Sequence, residues 1–169
     1  MASKIKVDTL ETANGSGTIA LSNQLSGMTS ASVPSGSVLQ VLTAEYATSM
    51  ALSTITYTDS GLTLSITPSS TSSKILAFWN MQANCDTAGS GFGTKLVRGS
   101  TAVWTSTNSY DVLAPTSGLR IAKDYRYLDS PSTTSAITYK VQVSSHASRA
   151  IYVNGDNTQT QLTLMEIKG

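Results

Sequence analysis

The fold of this 169-residue chain is decided by residues 62–82, LTLSITPSSTSSKILAFWNMQ. Every second residue from Leu62 to Ile66 is apolar, as in a strand with one buried face. Pro68 ends that strand because proline has no N–H to donate to a neighbouring strand. After a Ser/Thr-rich turn, residues 74–82 form the most apolar run in the chain. We predict that this second run is the central strand of a β protein.

Other alternating or apolar runs lie on both sides of this stretch, and turn residues separate them. We predict about eight to ten strands and no helix, and a strand spacing of roughly 8–12 residues indicates a β-sandwich or barrel. An antiparallel two-sheet jelly roll is favoured because it limits exposed edges without full closure. The predicted strands are 37–46, 53–58, 62–67, 74–82, 94–99, 101–106, 123–129, 136–145, 149–154 and 161–168.

Two local features add detail to this strand pattern. The Asp-Ser-Gly sequence at 59–61 predicts a turn between two strands, since these residue types favour turns. In the last strand, Leu162, Leu164 and Ile167 are predicted to face the core.

Composition excludes several classes of protein. Ser and Thr make up roughly 30% of the chain, well above ordinary usage. A hydrophobic content of 40% with only 12% charged residues is not the signature of a disordered protein. The net charge is +1 with no basic run, so we expect no nucleic-acid partner.

Targeting signals are also missing from the sequence pattern. No apolar stretch approaches the ~20 residues of a membrane span, so we expect no membrane insertion. Met1 is followed by Ala-Ser-Lys and not by an apolar run. We therefore expect no signal peptide and synthesis in a cytoplasm.

Residues 1–36 are predicted to form an arm and linker that precede a β-sandwich domain of residues 37–169. Residues 3–10 alternate, Asn14-Gly15 is a strong turn signal, and residues 18–21 supply a return strand. A lone hairpin is marginal in water, so we predict that it pairs with a neighbouring chain. The alternative is a disordered tail. The predicted anchors of the arm are Ile5, Val7, Leu10, Ile19 and Leu21.

No residue pattern points to catalysis. His146 is the only histidine and lies in a small polar loop, so it does not make a histidine-based metal site alone. Cys85 is the only cysteine, and Asp86 beside it disfavours a reactive thiolate, so we predict a buried small hydrophobe. Residues 89–95 (GSGFGTK) lack the spacing of a phosphate-binding loop. We expect a non-enzymatic protein with no cofactor and no metal.

A binding loop is predicted at residues 107–120, which lack a clean period. Trp104, Asn108, Tyr110 and Asp111 flank or occupy it. Aromatic faces beside amide and carboxylate groups hold sugars or protein epitopes. The alternative is that Trp104 fills the core of its strand.

Four phrases of the chain resemble virion structural proteins of tailed phages, especially marine and cyanobacterial ones. They occur in order and span both ends, whereas residues 84–160 carry no matching motif. The phrases are SKIKVDTLETANGSGTIAL (3–21), PSGSVLQV (34–41), YTDSGLTLSITPSSTSSKILAF (57–78) and LTLMEIKG (162–169).

The resemblance implies a homotrimer with a jelly-roll head in a virion, and three roles stay open. The first is capsid decoration, with the arm reaching neighbouring subunits or the major capsid protein. The second is a tail-fibre tip that joins other tail or fibre proteins and binds a host-surface protein or glycan through residues 104–120. The third, which lies outside the resemblance, is a non-viral binding module of the C1q/tumour-necrosis-factor type with the same sandwich and trimer. Decoration is favoured because there is no anchoring domain, heptad shaft or collagen-like repeat.

Overall fold

A computed structural model describes residues 33–106 and 110–169 of the protein. The first strand begins at Val38, and the predicted boundary between residues 36 and 37 stays a prediction. The predicted arm and linker lie outside the described residues over residues 1–32, which include the anchors Ile5, Val7, Leu10, Ile19 and Leu21.

The described residues form eleven strands and no α-helix. They build two antiparallel sheets packed as a sandwich, which confirms the predicted fold class. The strands are β1 (Val38–Tyr46), β2 (Met50–Leu52), β3 (Thr58–Ile66), β4 (Lys74–Cys85), β5 (Gly91–Arg98), β6 (Thr101–Thr105), β7 (Val112–Leu113), β8 (Leu119–Asp129), β9 (Ile137–Ser145), β10 (Ile151–Val153) and β11 (Thr160–Ile167).

The strand pairing is that of a jelly roll. The chain behaves as one long hairpin folded over on itself, because β1 pairs with β11, β3 with β9, β4 with β8 and β5 with β6. The first sheet has the order β1-β11-β4-β8, and the second has the order β3-β9-β5-β6. The short strands β2 and β10 extend the first sheet beside β4, and β7 extends the second beside β5.

Strand β4 lies at the centre of the first sheet and pairs along both edges. On one edge β8 follows it over its whole length, from Ile75 opposite Asp129 to Cys85 opposite Leu119. On the other edge β11 pairs with its first half and β10 with its end. The prediction that residues 74–82 form a central strand is therefore confirmed.

The hydrophobic core fills the space between the two sheets. Alternate residues of each long strand point into it, as the period-two pattern predicts. Fully burying one large apolar side chain contributes roughly 1.5–3 kcal/mol, so these residues dominate the stability. The largest fully buried apolar side chains are Leu62, Ile66, Ile75, Met81, Phe92, Leu96, Tyr139, Val141, Ile151, Leu162 and Leu164.

The prediction of a turn at residues 59–61 is wrong, because strand β3 continues through these residues and forms a β-bulge there. Asp59 pairs with Gln142 and Thr63 pairs with Lys140. Between these two pairs β3 advances by four residues while β9 advances by only two.

Backbone and side-chain chemistry explain why the chain bulges there without reversing. Gly61 has a φ of +87°, a conformation that favours glycine. The Ser60 hydroxyl donates a hydrogen bond to the carbonyl oxygen of Val141 at 2.7 Å, which holds the bulge against β9. The strand predicted at 53–58 is replaced by the earlier three-residue strand β2 and the start of β3.

The prediction that Ile167 faces the core is also wrong. The inward positions of β11 are Leu162, Leu164 and Glu166, and strict alternation places Ile167 on the other face. A carboxylate therefore occupies a position where the pattern suggested an apolar residue.

The buried Glu166 carboxylate is held by hydrogen bonds from two segments. Gln40 Nε2 donates to one oxygen at 2.6 Å, and the backbone N–H and hydroxyl of Ser69 each donate to the other at 2.7 Å. Burial raises the pKa of Glu166, but the hydrogen bonds from Gln40 and Ser69 outweigh burial and hold the pKa below its usual value. This carboxylate ties the Ser-rich turn after β3 to β1 and β11.

We predict that Glu166→Gln lowers the free energy of unfolding at pH 7 by on the order of 1–3 kcal/mol, because the new amide group would face existing donors. The depressed pKa of the wild-type carboxyl stabilises the fold above the usual glutamate value of 4.5, and this contribution is lost as the pH falls further. Denaturant unfolding at pH 7 and at acidic pH tests this. An equal difference between the two proteins at both pH values would contradict the prediction.

Candidate functional site

The predicted binding-loop residues meet at one cleft of about 550 Å³. Trp104, Tyr110 and Asp111 all line it, whereas Asn108 lies outside the described residues. The cleft opens between β8, at one edge of the first sheet, and β6, at one edge of the second. The other lining residues are Ser106, Lys123, Asp124, Tyr125 and Arg126.

Three aromatic rings form the inner part of this site. The Trp79 and Tyr125 rings are stacked with their centroids 5.3 Å apart, and Trp104 meets Trp79 edge to face at 5.2 Å. Trp79 and Tyr125 are buried, while Trp104 is partly buried and also lines the cleft. Trp104 therefore belongs to both alternatives: it packs against the core and it forms a wall of the cleft.

Strand β8 supplies the charged wall that sequence patterns did not reveal. Lys123 Nζ lies 3.9 Å from Asp111 Oδ2 and 5.4 Å from the centre of the Tyr125 ring. Asp124 and Arg126 line the cleft as well. These residues reach Trp104 only because the two sheets pack against each other, so no local motif marks them.

Several buried polar atoms around the cleft find no hydrogen-bond partner within residues 33–106 and 110–169. They are the Tyr125 hydroxyl, Thr94 Oγ1, Asp111 Oδ2 and Trp79 Nε1. Burial first, and then the Asp111 carboxylate, raise the pKa of Tyr125 far above its usual range. The hydroxyl therefore keeps its proton at neutral pH beside the Asp111 carboxylate.

His146 and Cys85, the other residues considered from the sequence, have ordinary environments. The His146 ring packs on Tyr110 with centroids 4.0 Å apart, and its Nδ1 lies 3.0 Å from the carbonyl oxygen of Gly89. Cys85 is buried, and burial raises the pKa of its thiol. Within the described ranges we find no group of three His, Cys, Asp or Glu that could hold a metal ion.

A second candidate surface is the outer face of the first sheet. Cross-strand pairing places Val41 beside Met165, Met165 beside Leu76, and Leu76 beside Leu128. Val41 is 52% exposed and Leu128 is 47% exposed. We call this row, with Phe78 beside it and Val38 and Ile167 at its other flank, the outer apolar face.

The outer apolar face departs from the usual pattern of a solvated sheet. Antiparallel sheets with one face in water normally alternate apolar and polar residues, whereas here apolar side chains continue across four strands. Single exposed apolar residues are normal, but a contiguous patch marks an interaction site. The exposure of Val41 shows that the outward face of β1 is open in the single chain.

Comparison with known proteins identifies no family. No family model matches the chain, and no curated protein matches it. Solved structures with partial similarity include a structure of infectious bursal disease virus strain Gx, with 16% identity and a TM-score of 0.40 over 77% of this chain. Another is the VP2 subviral particle of infectious bursal disease virus, with 13% identity and a TM-score of 0.37, also over 77% of this chain.

A third similar structure is the dimeric latent PorU of Porphyromonas gingivalis, with 8% identity and a TM-score of 0.35 over 80% of this chain. The chain spans 37% and 38% of the two viral chains and 14% of the bacterial one. The strand pairing of this chain establishes its jelly-roll fold without these similarities. In the described part of the chain, no helix is long and apolar enough to cross a membrane.

We predict that Trp104→Ala lowers the free energy of unfolding by on the order of 2–4 kcal/mol, because the ring packs against Trp79 and Tyr125. Tyr110→Ala is the matched control, since Tyr110 lines the same cleft outside this cluster and should change stability by less than about 1 kcal/mol. Urea denaturation of both variants measures the difference. Equal losses would show that the Trp104 ring is not part of the packed core.

Proposed function

We propose that this protein is a non-enzymatic virion structural protein of a tailed phage. It assembles as a homotrimer and decorates the capsid through its N-terminal arm. The outer apolar face is the observation that carries this proposal, because a contiguous exposed apolar surface marks a site of protein–protein contact. The resemblance of residues 3–21, 34–41, 57–78 and 162–169 to phage virion proteins supports the same role.

The occupant that we assign to the outer apolar face is the arm of a neighbouring copy. Residues 1–32 precede the described part, and within residues 3–10 the apolar Ile5 and Val7 alternate with charged residues. An alternating segment offers one apolar side to such a face and one polar side to water.

The point where the arm joins the domain favours this assignment. The backbone N–H of Gly36 donates to the carbonyl oxygen of Lys168 at 2.8 Å, at the end of β11. Met165 and Leu128 lie near the same end of the sheet, close to the ends of β11 and β8. An arm exchanged between copies therefore starts beside the surface that it would cover. Repetition over symmetric copies multiplies weak contacts into firm attachment.

We predict that the full chain is a trimer in solution and that deletion of residues 1–30 or the substitution Leu128→Asp converts it into a monomer. A charge buried within an apolar contact is left without a partner, which opposes association. Light scattering coupled to size-exclusion chromatography measures the mass. Retention on virions should be lost in parallel.

Ala122→Asp is the matched control for this experiment. Ala122 is exposed on the same outer face of β8, six residues from Leu128 and so about 20 Å away along the strand. This variant should stay trimeric. A trimer that survives both the deletion and Leu128→Asp would contradict the assignment of the contact, and a monomeric full chain would contradict the proposed assembly.

The cleft between β6 and β8 favours a second candidate, a tail-fibre tip that binds a receptor on the host surface. Clefts of this size that combine aromatic and polar side chains are the usual form of ligand sites. Immunogold labelling of intact particles separates the two roles. Label on heads supports decoration, and label confined to tail fibres supports the second candidate.

A further inference from the structure

We propose that the cleft between β6 and β8 binds a neutral sugar in its pyranose form. This inference deepens the second candidate function, and it does not depend on the trimer proposed for the arm. Four properties of the cleft carry it: its size, its balance of charge, its aromatic wall and its unpartnered polar atoms.

The size and charge of the cleft favour a small neutral ligand. Its volume of about 550 Å³ falls in the usual range for small-molecule sites. The wall contains two carboxylates and two cationic side chains, so their charges cancel. An anionic or a cationic ligand would meet a repulsive group as well as an attractive one. The four residues are Asp111, Asp124, Lys123 and Arg126.

The unpartnered atoms at the base of the cleft favour a ligand with several hydroxyl groups. Tyr125 is 7% exposed and lines the cleft, and its hydroxyl has no hydrogen-bond partner in the described part of the chain. Asp111 Oδ2, which also lines the cleft, has no hydrogen-bond partner there either and lies 3.9 Å from Lys123 Nζ. A buried polar group without a partner costs about 1–3 kcal/mol, so water or a ligand is expected to satisfy these atoms.

The aromatic wall completes the match to a sugar. Trp104 lines the cleft while its ring is fixed by contacts with Trp79 and Tyr125. A rigid aromatic side chain offers contact area at little cost in conformational entropy. A pyranose ring has an apolar C–H surface and a polar rim, whereas a linear polyol has no such flat surface. Sugars are therefore favoured over open-chain polyols.

The experiment is calorimetric titration of the full chain with methyl glycosides of glucose, mannose and galactose. Sorbitol is the open-chain comparison, and N-acetylneuraminic acid and glucosamine are the charged comparisons. We expect saturable binding of at least one neutral glycoside at millimolar concentration, with a change in tryptophan fluorescence. Failure of all three neutral glycosides, or equal binding of sorbitol or of a charged sugar, would overturn the proposal.

Tyr125→Phe tests the role assigned to the unpartnered hydroxyl. It should weaken glycoside binding roughly 10-fold, the usual effect of losing one hydrogen bond. It should leave the melting temperature unchanged or raise it, because an unsatisfied buried group is removed. Tyr127→Phe, two residues along β8 and outside the cleft lining, is the matched control and should bind normally. Unchanged affinity in Tyr125→Phe would overturn the site.

The same proteins distinguish a failure of this inference from a failure of the proposed assembly. A monomer that binds a neutral glycoside contradicts the trimer and supports the cleft. A trimer that binds none contradicts the cleft alone.

Discussion

Pairing along both edges of β4 is the constraint on which the rest of the sandwich depends. A strand with neighbours on both sides must place its alternate residues firmly inside and outside the sheet. On β4 this sends Trp79 inward, where it holds the aromatic cluster of the cleft, and sends Leu76 and Phe78 outward onto the outer apolar face. Both candidate surfaces thus follow from one strand and its register.

Two buried carboxylates stabilise the end of the sandwich where β4 begins. Glu166 accepts hydrogen bonds from Gln40 and from the turn after β3. Asp129, at the end of β8, accepts a hydrogen bond from the Tyr139 hydroxyl at 2.6 Å and pairs with Arg98 at 2.9 Å, which ties the first sheet to the second. Buried charges are tolerated only with such partners, so both positions favour a single register over its alternatives.

The two candidate surfaces adjoin, because Arg126 of the cleft pairs with Phe78 of the outer apolar face, but they share no residue. The outer apolar face looks away from the core, whereas the cleft opens between the edges of the two sheets. A protein that is held by one surface can still use the other. The proposed assembly through the arm and the proposed recognition through the cleft are therefore compatible.

Sequence alone determined most of the long strands and many of their inward positions, because alternation, proline and glycine act over a few residues. It predicted β4 as the central strand and placed Trp104, Tyr110 and Asp111 at one site. On β11 the prediction chose the apolar Ile167 as an inward residue, whereas alternation from Leu162 and Leu164 leads to Glu166.

Only the tertiary structure decided which distant segments meet. Gln40 reaches Glu166 across 126 residues of chain, and Val41 and Leu128 share the outer apolar face through two intervening strands. The tertiary structure also decided that the Asp-Ser-Gly sequence at 59–61 forms a bulge and not a turn, because the Ser60 hydroxyl hydrogen-bonds to Val141 on β9. Cross-strand register sets these contacts, and register depends on the packing of the whole sandwich and not on any local pattern.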